Sequence, residues 1–204
     1  MTNFQVKMLN KKASDPKNKP EQIIRAIGLK HGQSIADIGA GGGYFSLRFA
    51  EIVGEEGRVY ALDTNPEFLE YVKNSAEERG LNNLVTILVR GDRLNLPEKG
   101  LDFIFMRNVT HHISNRVKYF RNLKDFLKPD GRIIIIDYKK DKPLTFRWLF
   151  RHSIPKEVIK KEMEEAGYLL EKEFDFLPEQ HFTIFKCIKI KSNNSTLKCG
   201  VCNI

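Results

Sequence analysis

The reading of this chain turns on Ser34 to Phe49, SIADIGAGGGYFSLRF. Ser34 to Ile38 reads as a short strand with Asp37 near its C-terminal end, residues 39–43 (Gly-Ala-Gly-Gly-Gly) read as a turn, and an apolar-periodic helix begins at once. Glycine has no Cβ and tolerates positive φ, so glycines between a strand and a helix let backbone approach a ligand closely. The N–H groups of the helix that opens there favour a negative or hydrogen-bond-accepting group on the turn. Five small residues in succession also cost chain entropy that packing alone seldom repays.

Spacing narrows the ligand. Read from Gly39, the dinucleotide fingerprint G-x-G-x-x-G needs glycine where Tyr44 stands, so NAD or FAD fits imperfectly. No Gly-Lys-Ser/Thr follows the glycines, which excludes a Walker A loop. Read as D-x-G-x-G-x-G, Asp37, Gly39, Gly41 and Gly43 all fall into place. In this motif the chain resembles the class I S-adenosylmethionine-dependent methyltransferases. The resemblance implies that Asp37 lies near the ammonium of the methionine part and that the glycines pass under the cofactor.

With 204 residues the chain holds one domain with a sizeable core. Hydrophobic residues at 41 % and charged residues at 29 % describe a soluble globular protein. No apolar run approaches the roughly 20 residues that cross a bilayer, and the polar N-terminus lacks a secretory core, so the default location is the cytoplasm. The formal net charge of +8 suits an acidic partner, nucleic acid or anionic lipid, and equally a lysine-rich surface that serves solubility. Three cysteines, Cys187 and the pair Cys199 and Cys202, are too few for a secreted disulfide framework.

Residues 1–19 are read as a flexible segment or a cover for the cofactor site, with Met8 and Leu9 in a short helix. Pro20 and Glu21 start a helix whose stripe is Ile23, Ile24 and Ile27 and whose stop is Gly28. Arg58 to Asp63 is a second strand ending in an acid. Consecutive parallel strands end on the same sheet edge, which brings Asp63 beside the glycine turn, and a carboxylate suits the two hydroxyls of a ribose. A helix over residues 66–79 stops at Gly80, and a third strand spans residues 84–89. By the resemblance the acid after that strand, Asp92, receives the adenine amino group, although Asp after Gly is also an ordinary turn choice. The implied cofactor set is Asp37, Gly39, Ala40, Gly41, Gly43, Asp63, Thr64, Asp92, Arg93 and Asn108.

The fourth strand, Leu101 to Met106, is nearly all apolar, as when helices cover both sheet faces. It runs into RNVTHHI, where by the resemblance Asn108 lies at the transferring end of the cofactor and the adjacent His111 and His112 are candidates to accept a proton or shape the acceptor pocket. Capping of the following turn is their structural alternative. A helix over residues 116–127 leads to Lys128-Pro129-Asp130-Gly131, read as a tight turn into a fifth strand, Arg132 to Tyr138. The same junction resembles the family's. Residues 139–154 break the alternation with five Lys or Arg around Phe146, Trp148, Leu149 and Phe150. An acceptor-binding lid containing Trp148, an anionic-partner or membrane patch, and plain aromatic packing all stay open.

A helix over residues 155–166 precedes strands at 168–177 and 180–190, joined by Pro178-Glu179 and therefore antiparallel. Gln180 and His181 are acceptor-side candidates or hairpin interior. The resemblance covers residues 20–190 and implies a Rossmann-like three-layer αβα sandwich whose seven-stranded sheet is parallel except for the last strand. It implies methyl transfer from S-adenosyl-L-methionine by in-line displacement, with a small molecule or exposed protein side chain as acceptor. No compact metal-ligand cluster is evident. The Asn/Asp-Pro-Pro-aromatic motif of many amino-directed enzymes is missing after Asn108, and no nucleic-acid module is recognisable, which disfavours RNA. Arsenite or thiol methylation through Cys199 and Cys202, RNA methylation, and a non-enzymatic cofactor-binding module are the alternatives. Residues 191–204 read as a flexible tail.

Overall fold

The computed structural model describes residues 2–91, 93–139 and 153–188. Asp92, Trp148, most of the basic aromatic segment, Cys199 and Cys202 lie outside these residues. The strands are β1 (Ser34–Ile38), β2 (Arg58–Asp63), β3 (Leu84–Leu88), β4 (Leu101–Arg107), β5 (Leu127–Tyr138), β6 (Tyr168–Phe174) and β7 (Gln180–Cys187). The helices are α1 (Thr2–Ser14), α2 (Pro20–Ile27), α3 (Tyr44–Val53), α4 (Pro66–Glu78), α5 (Arg116–Leu123) and α6 (Lys156–Glu165). The sheet has the order β3-β2-β1-β4-β5-β7-β6. Strands β1 to β5 pair in parallel, and β7 is antiparallel to both neighbours, so six strands run one way and the last runs back.

Alternation along the central strands builds two cores. Ala36, Ile104, Met106, Ile133 and Ile135 face Phe120 and Leu123 of α5 and Ile159 and Met163 of α6. Ile35, Phe103, Phe105, Ile134 and Ile136 face Ile23, Ile24 and Ile27 of α2 and Phe45, Phe49 and Val53 of α3. The unbroken isoleucine run of β5 is thus explained by apolar cover on both faces. Helix α4 starts where the Asn65 side chain accepts the Glu67 N–H at 2.9 Å, with Pro66 at the first helical position.

Several boundaries differ from the sequence reading. The helix expected to reach residue 127 ends at Leu123, and the Lys-Pro-Asp-Gly stretch lies inside β5 instead of before it. Leu101 pairs with Leu127 and Phe103 with Arg132, so residues 128–131 bulge opposite the single Asp102. A bulge tolerates the missing proline N–H. Asp102 pins it by accepting from Lys128 Nζ at 2.6 Å and from the Ser34 N–H at 2.8 Å. Strand β6 stops at Phe174, which pairs with Phe182, and Phe176 beyond it packs on the same Phe182 ring. Strand β7 is recorded to Cys187.

The order leaves β1 between β2 and β4, so connections depart in opposite directions from the adjacent C-terminal ends of β1 and β4. Open α/β sheets bind their ligands in the crevice at such a point. No helix among the described residues is long and apolar enough to cross a membrane.

Candidate active site

A cavity of about 970 Å³ opens over these strand ends. Its first wall is the glycine turn. The N–H groups of Gly39 and Ala40 both donate to the Leu62 carbonyl, at 2.8 and 2.9 Å, and the Gly43 N–H donates to Ala40 O at 2.9 Å. Gly39, Gly41 and Gly43 have φ of 78, 55 and 79°, a region in which a side chain is strained. A Cβ on Gly39 would stand 2.9 Å from Val109, and one on Gly43 2.5 Å from Val72. Gly39 and Gly43 are therefore required both by the turn and by what packs against it, and Gly41 by the turn.

Asp63 holds the turn from β2. Its Oδ2 accepts the Gly41 N–H at 2.8 Å and its Oδ1 accepts the Asn65 N–H at 2.9 Å. Asp37 is 3 % exposed and accepts from Ser46 Oγ at 2.6 Å. Burial pushes its carboxyl up to about 7; the Ser46 bonds and the Arg107 charge oppose the rise, and the Asp63 charge adds to it. An acid held at that value gains most from a cation placed against it.

The opposite wall comes from β4, β5 and the turn between Arg107 and Asn115. Asn108 has φ 55°, its N–H donates to Ile136 O at 2.8 Å, and its Oδ1 accepts from Gln180 Nε2 at 2.5 Å. His111 Nδ1 lies 3.2 Å from Oδ1 of Asp137, which is fully buried, and Thr110 Oγ1 donates to Asp137 Oδ2. Burial alone would raise the Asp137 carboxyl; the hydrogen bonds from His111 and Thr110, the His111 charge and the Tyr138 N–H outweigh it and hold the group below its ordinary value. The His111 and His112 rings stand 4.2 Å apart, and both residues line the cavity.

Helix α1 closes a third side. Asn10 Nδ2 donates to Gly42 O at 2.8 Å, Leu9 approaches Gly41, and Lys12 Nζ sits 5.3 Å above the Tyr138 ring.

Asp37, Gly39, Ala40, Gly41, Asp63, Thr64, Asn108, His111 and His112 thus meet around one cavity, with Gly43 at the base of its turn. Arg93 lines a separate depression beside Asn95 and Asn122. Gln180 and His181 do not line the cavity: Gln180 is buried against Asn108 and Arg107, and His181 is 3 % exposed on the sheet face shared with Asp137. Burial keeps the His181 imidazole below its ordinary value. Cys187 does not line the cavity either, and burial raises its thiol. No group of three or more metal-ligating side chains occurs among the described residues.

Asp137, Thr110, Arg107 and Asn10 are site residues that the sequence reading missed. Asp137 carried a signal, since a lone acid after four isoleucines in a doubly covered strand must be buried and bonded. Arg107, next to Asn108, carried a weaker one.

The residues fit a sulfonium nucleoside. The turn offers close backbone approach, Asp37 offers a buried acid in need of a cation, and Asp63 offers further lone pairs for hydroxyl groups.

A family model described as a methyltransferase domain matches residues 29–179. The ubiquinone/menaquinone biosynthesis C-methyltransferase UbiE of Serratia proteamaculans is 27 % identical over 155 residues, which cover 72 % of this chain and 62 % of that protein. The chain therefore spans about three fifths of the length of this curated relative. A crystal structure of a SAM dependent methyltransferase from Aquifex aeolicus superposes with a TM-score of 0.81 at 25 % identity, over 91 % of this chain and 98 % of that one. A putative type 11 methyltransferase from Sulfolobus solfataricus shares the fold, with a TM-score of 0.64 at 22 % identity over 80 % of this chain and 89 % of that one. With three quarters of its length matched by the domain model, and with the sheet order and glycine turn described above, the chain belongs to the methyltransferase-domain family of class I S-adenosylmethionine-dependent enzymes.

Proposed function

We propose that the protein transfers the methyl group of S-adenosylmethionine to a small-molecule acceptor that enters between α1 and the turn bearing His111 and His112. The observation that carries this reading is the placement of two kinds of wall around one cavity: Asp37, Asp63 and the glycine turn on one side, and His111, backed by the buried Asp137, on the other. When bound, the cofactor supplies a methyl carbon already activated by the neighbouring positive sulfur.

The protein's part is alignment, exclusion of water and handling of the acceptor's proton. Asp37 neutralises the ammonium, Asp63 takes the ribose hydroxyls and keeps the turn in register, and Asn108, locked by Gln180 and Ile136, borders the transferring end. Asp137 beside Nδ1 keeps the proton of the neutral His111 ring on that nitrogen, which makes Nε2 the basic one. His111 then accepts the proton that an oxygen, nitrogen or carbon acceptor sheds, and buried Asp137 stabilises the imidazolium that forms. A carbon acceptor, the type in the UbiE name, needs such a base more than an ionised thiol does.

Calorimetry should detect saturable S-adenosylmethionine and S-adenosylhomocysteine binding, with NAD much weaker. A labelled-methyl acceptor panel of phenols, quinols, thiols, arsenite, protein and RNA then identifies the acceptor. Tight NAD binding with neither sulfur nucleoside bound would overturn the cofactor assignment, and tight cofactor binding without transfer to any acceptor would leave a binding module.

A further inference from the structure

Four arginines of the described fold are partly buried, and three of them meet carboxylates. Arg116 grips Glu162 with two bonds of 2.7 Å, Arg132 grips Glu171 at 2.5 and 3.1 Å, and Arg48 bridges Glu21 and Glu51. Arg107 is the exception. It ends β4, lines the cavity, and has no carboxylate within ion-pair distance among the described residues. Its Nη2 donates to the uncharged Gln180 Oε1 at 3.1 Å, its guanidinium lies 5.0 Å above the Phe45 ring, and its Nε has no hydrogen-bond partner.

An unpaired cation withdrawn from water is costly, and a folded chain keeps one where a ligand brings the opposite charge. The side chain is also held in place. Asn108 accepts from Gln180, and Gln180 accepts from Arg107, so two side-chain amides fix the fork before any ligand arrives. A planar fork presents parallel N–H groups that match the two oxygens of a carboxylate. Burial pulls the guanidinium below its ordinary value, and a negative charge beside it opposes that pull.

We propose that Arg107 is the carboxylate receptor of this cavity. Asp37 and Arg107 project from the same face of adjacent strands, since Asp37 pairs with Phe105 and Arg107 lies two residues further along. An acid and a guanidinium side by side are what an α-amino acid needs, one for its ammonium and one for its carboxylate. That geometry favours the amino-acid end of the cofactor as the source of the carboxylate. A carboxylate on the acceptor is the other source, because Tyr44, Phe45 and Tyr138 give the same lobe flat apolar walls for an aromatic acid. The proposal rests on the sulfonium-nucleoside reading above.

The test pairs two nucleosides with two variants. S-adenosylhomocysteine carries the amino-acid end, and 5′-methylthioadenosine lacks it. Calorimetry on Arg107→Met should show S-adenosylhomocysteine weakened about 10- to 100-fold, the loss expected of a charge-assisted pair, and 5′-methylthioadenosine unchanged within twofold. Arg107→Lys, which keeps the charge without the fork, should recover part of the loss and guards against misfolding of the first variant. A second arm titrates benzoate into the protein with and without S-adenosylhomocysteine. If Arg107→Met spares both nucleosides but abolishes benzoate binding, the acceptor is the source of the carboxylate. Equal losses for both nucleosides, or no loss for either nucleoside or benzoate, would overturn the proposal. Should the wild-type protein bind neither nucleoside, the methyl-transfer reading falls, and the benzoate arm still decides Arg107.

Discussion

His111 and Asp137 stand 26 positions apart in the chain, and their side chains meet at 3.2 Å because β4 and β5 are neighbours in the sheet. Asp137→Asn removes the charge that stabilises a protonated His111 and alters which ring nitrogen carries the proton. Methyl transfer to a proton-shedding acceptor should fall by about 10² to 10⁴, the usual worth of a positioned base, with S-adenosylhomocysteine affinity unchanged within twofold. Loss of affinity in step with rate would instead assign Asp137 to cofactor binding.

The same carboxylate makes a statement about acid stability. Its folded-state value lies below the ordinary one, so its contribution is fully present above the unfolded value near 3.8 and is lost as pH falls through the folded value. Urea denaturation of wild type and Asp137→Asn should therefore differ most at neutral pH, by about 1 to 3 kcal/mol, and the gap should shrink as pH falls below the ordinary value of 3.8. A constant gap across that range would contradict the assignment.

Asp37 runs the other way. A carboxyl raised from 3.8 to about 7 keeps its proton in the folded chain while the unfolded chain has released it, so stability declines as pH climbs from about 4 to 7 and is level beyond. The three-unit gap corresponds to about 4 kcal/mol at most. Asp37→Asn should flatten that slope. Binding of a cationic ligand should expel the residual proton near pH 7, which calorimetry in phosphate and in Tris would reveal as a buffer-dependent heat.

Gly39→Ala and Gly80→Ala separate crowding from backbone strain. Both positions have positive φ, but a methyl on Gly80 meets nothing within 4 Å, whereas one on Gly39 strikes Val109 at 2.9 Å. Gly80→Ala should cost about 1 to 2 kcal/mol of stability and leave nucleoside binding intact. Gly39→Ala should cost more and abolish binding, as thermal denaturation with and without S-adenosylhomocysteine would show.

Helix α1 touches the glycine turn through the bond from Asn10 to Gly42 O. Asn10→Ala should weaken S-adenosylhomocysteine binding roughly fivefold, in line with one neutral hydrogen bond, and raise hydrogen exchange in residues 4–14. Unchanged exchange and affinity would show that α1 is held by Val6 and its apolar neighbours alone.

Local spacing made half of this site legible. Asp37, Gly39, Gly41 and Gly43 lie within seven residues, and Asp63 follows from the rule that parallel strands end together. The other half depends on contacts that no spacing encodes. Asp137 was read as part of an apolar strand because its partners Thr110 and His111 arrive from the preceding strand's loop. The placement of β7 between β5 and β6 turns Gln180 toward Asn108 and Arg107, and a hairpin pattern alone does not say which strand of the pair faces the sheet. The bulge at residues 128–131 escaped for a similar reason, since its cause is Asp102 on the neighbouring strand.

The split in strand order has a consequence for descent. The proposed cofactor groups Asp37, Asp63 and the glycine turn come from β1 and β2 on one side of the split, and the proposed proton-handling pair His111 and Asp137 comes from the β4 and β5 side, with Arg107 of β4 reaching toward Asp37. Substitutions around His111, His112 and Asn115 can therefore accumulate with little energetic coupling to the Asp63 and Gly41 contacts, because distant sites without shared partners vary almost additively. Such a lineage can change what it methylates while keeping what it methylates with. Arg107 and Asn108, which border both halves and share Gln180 of β7, are where that independence ends.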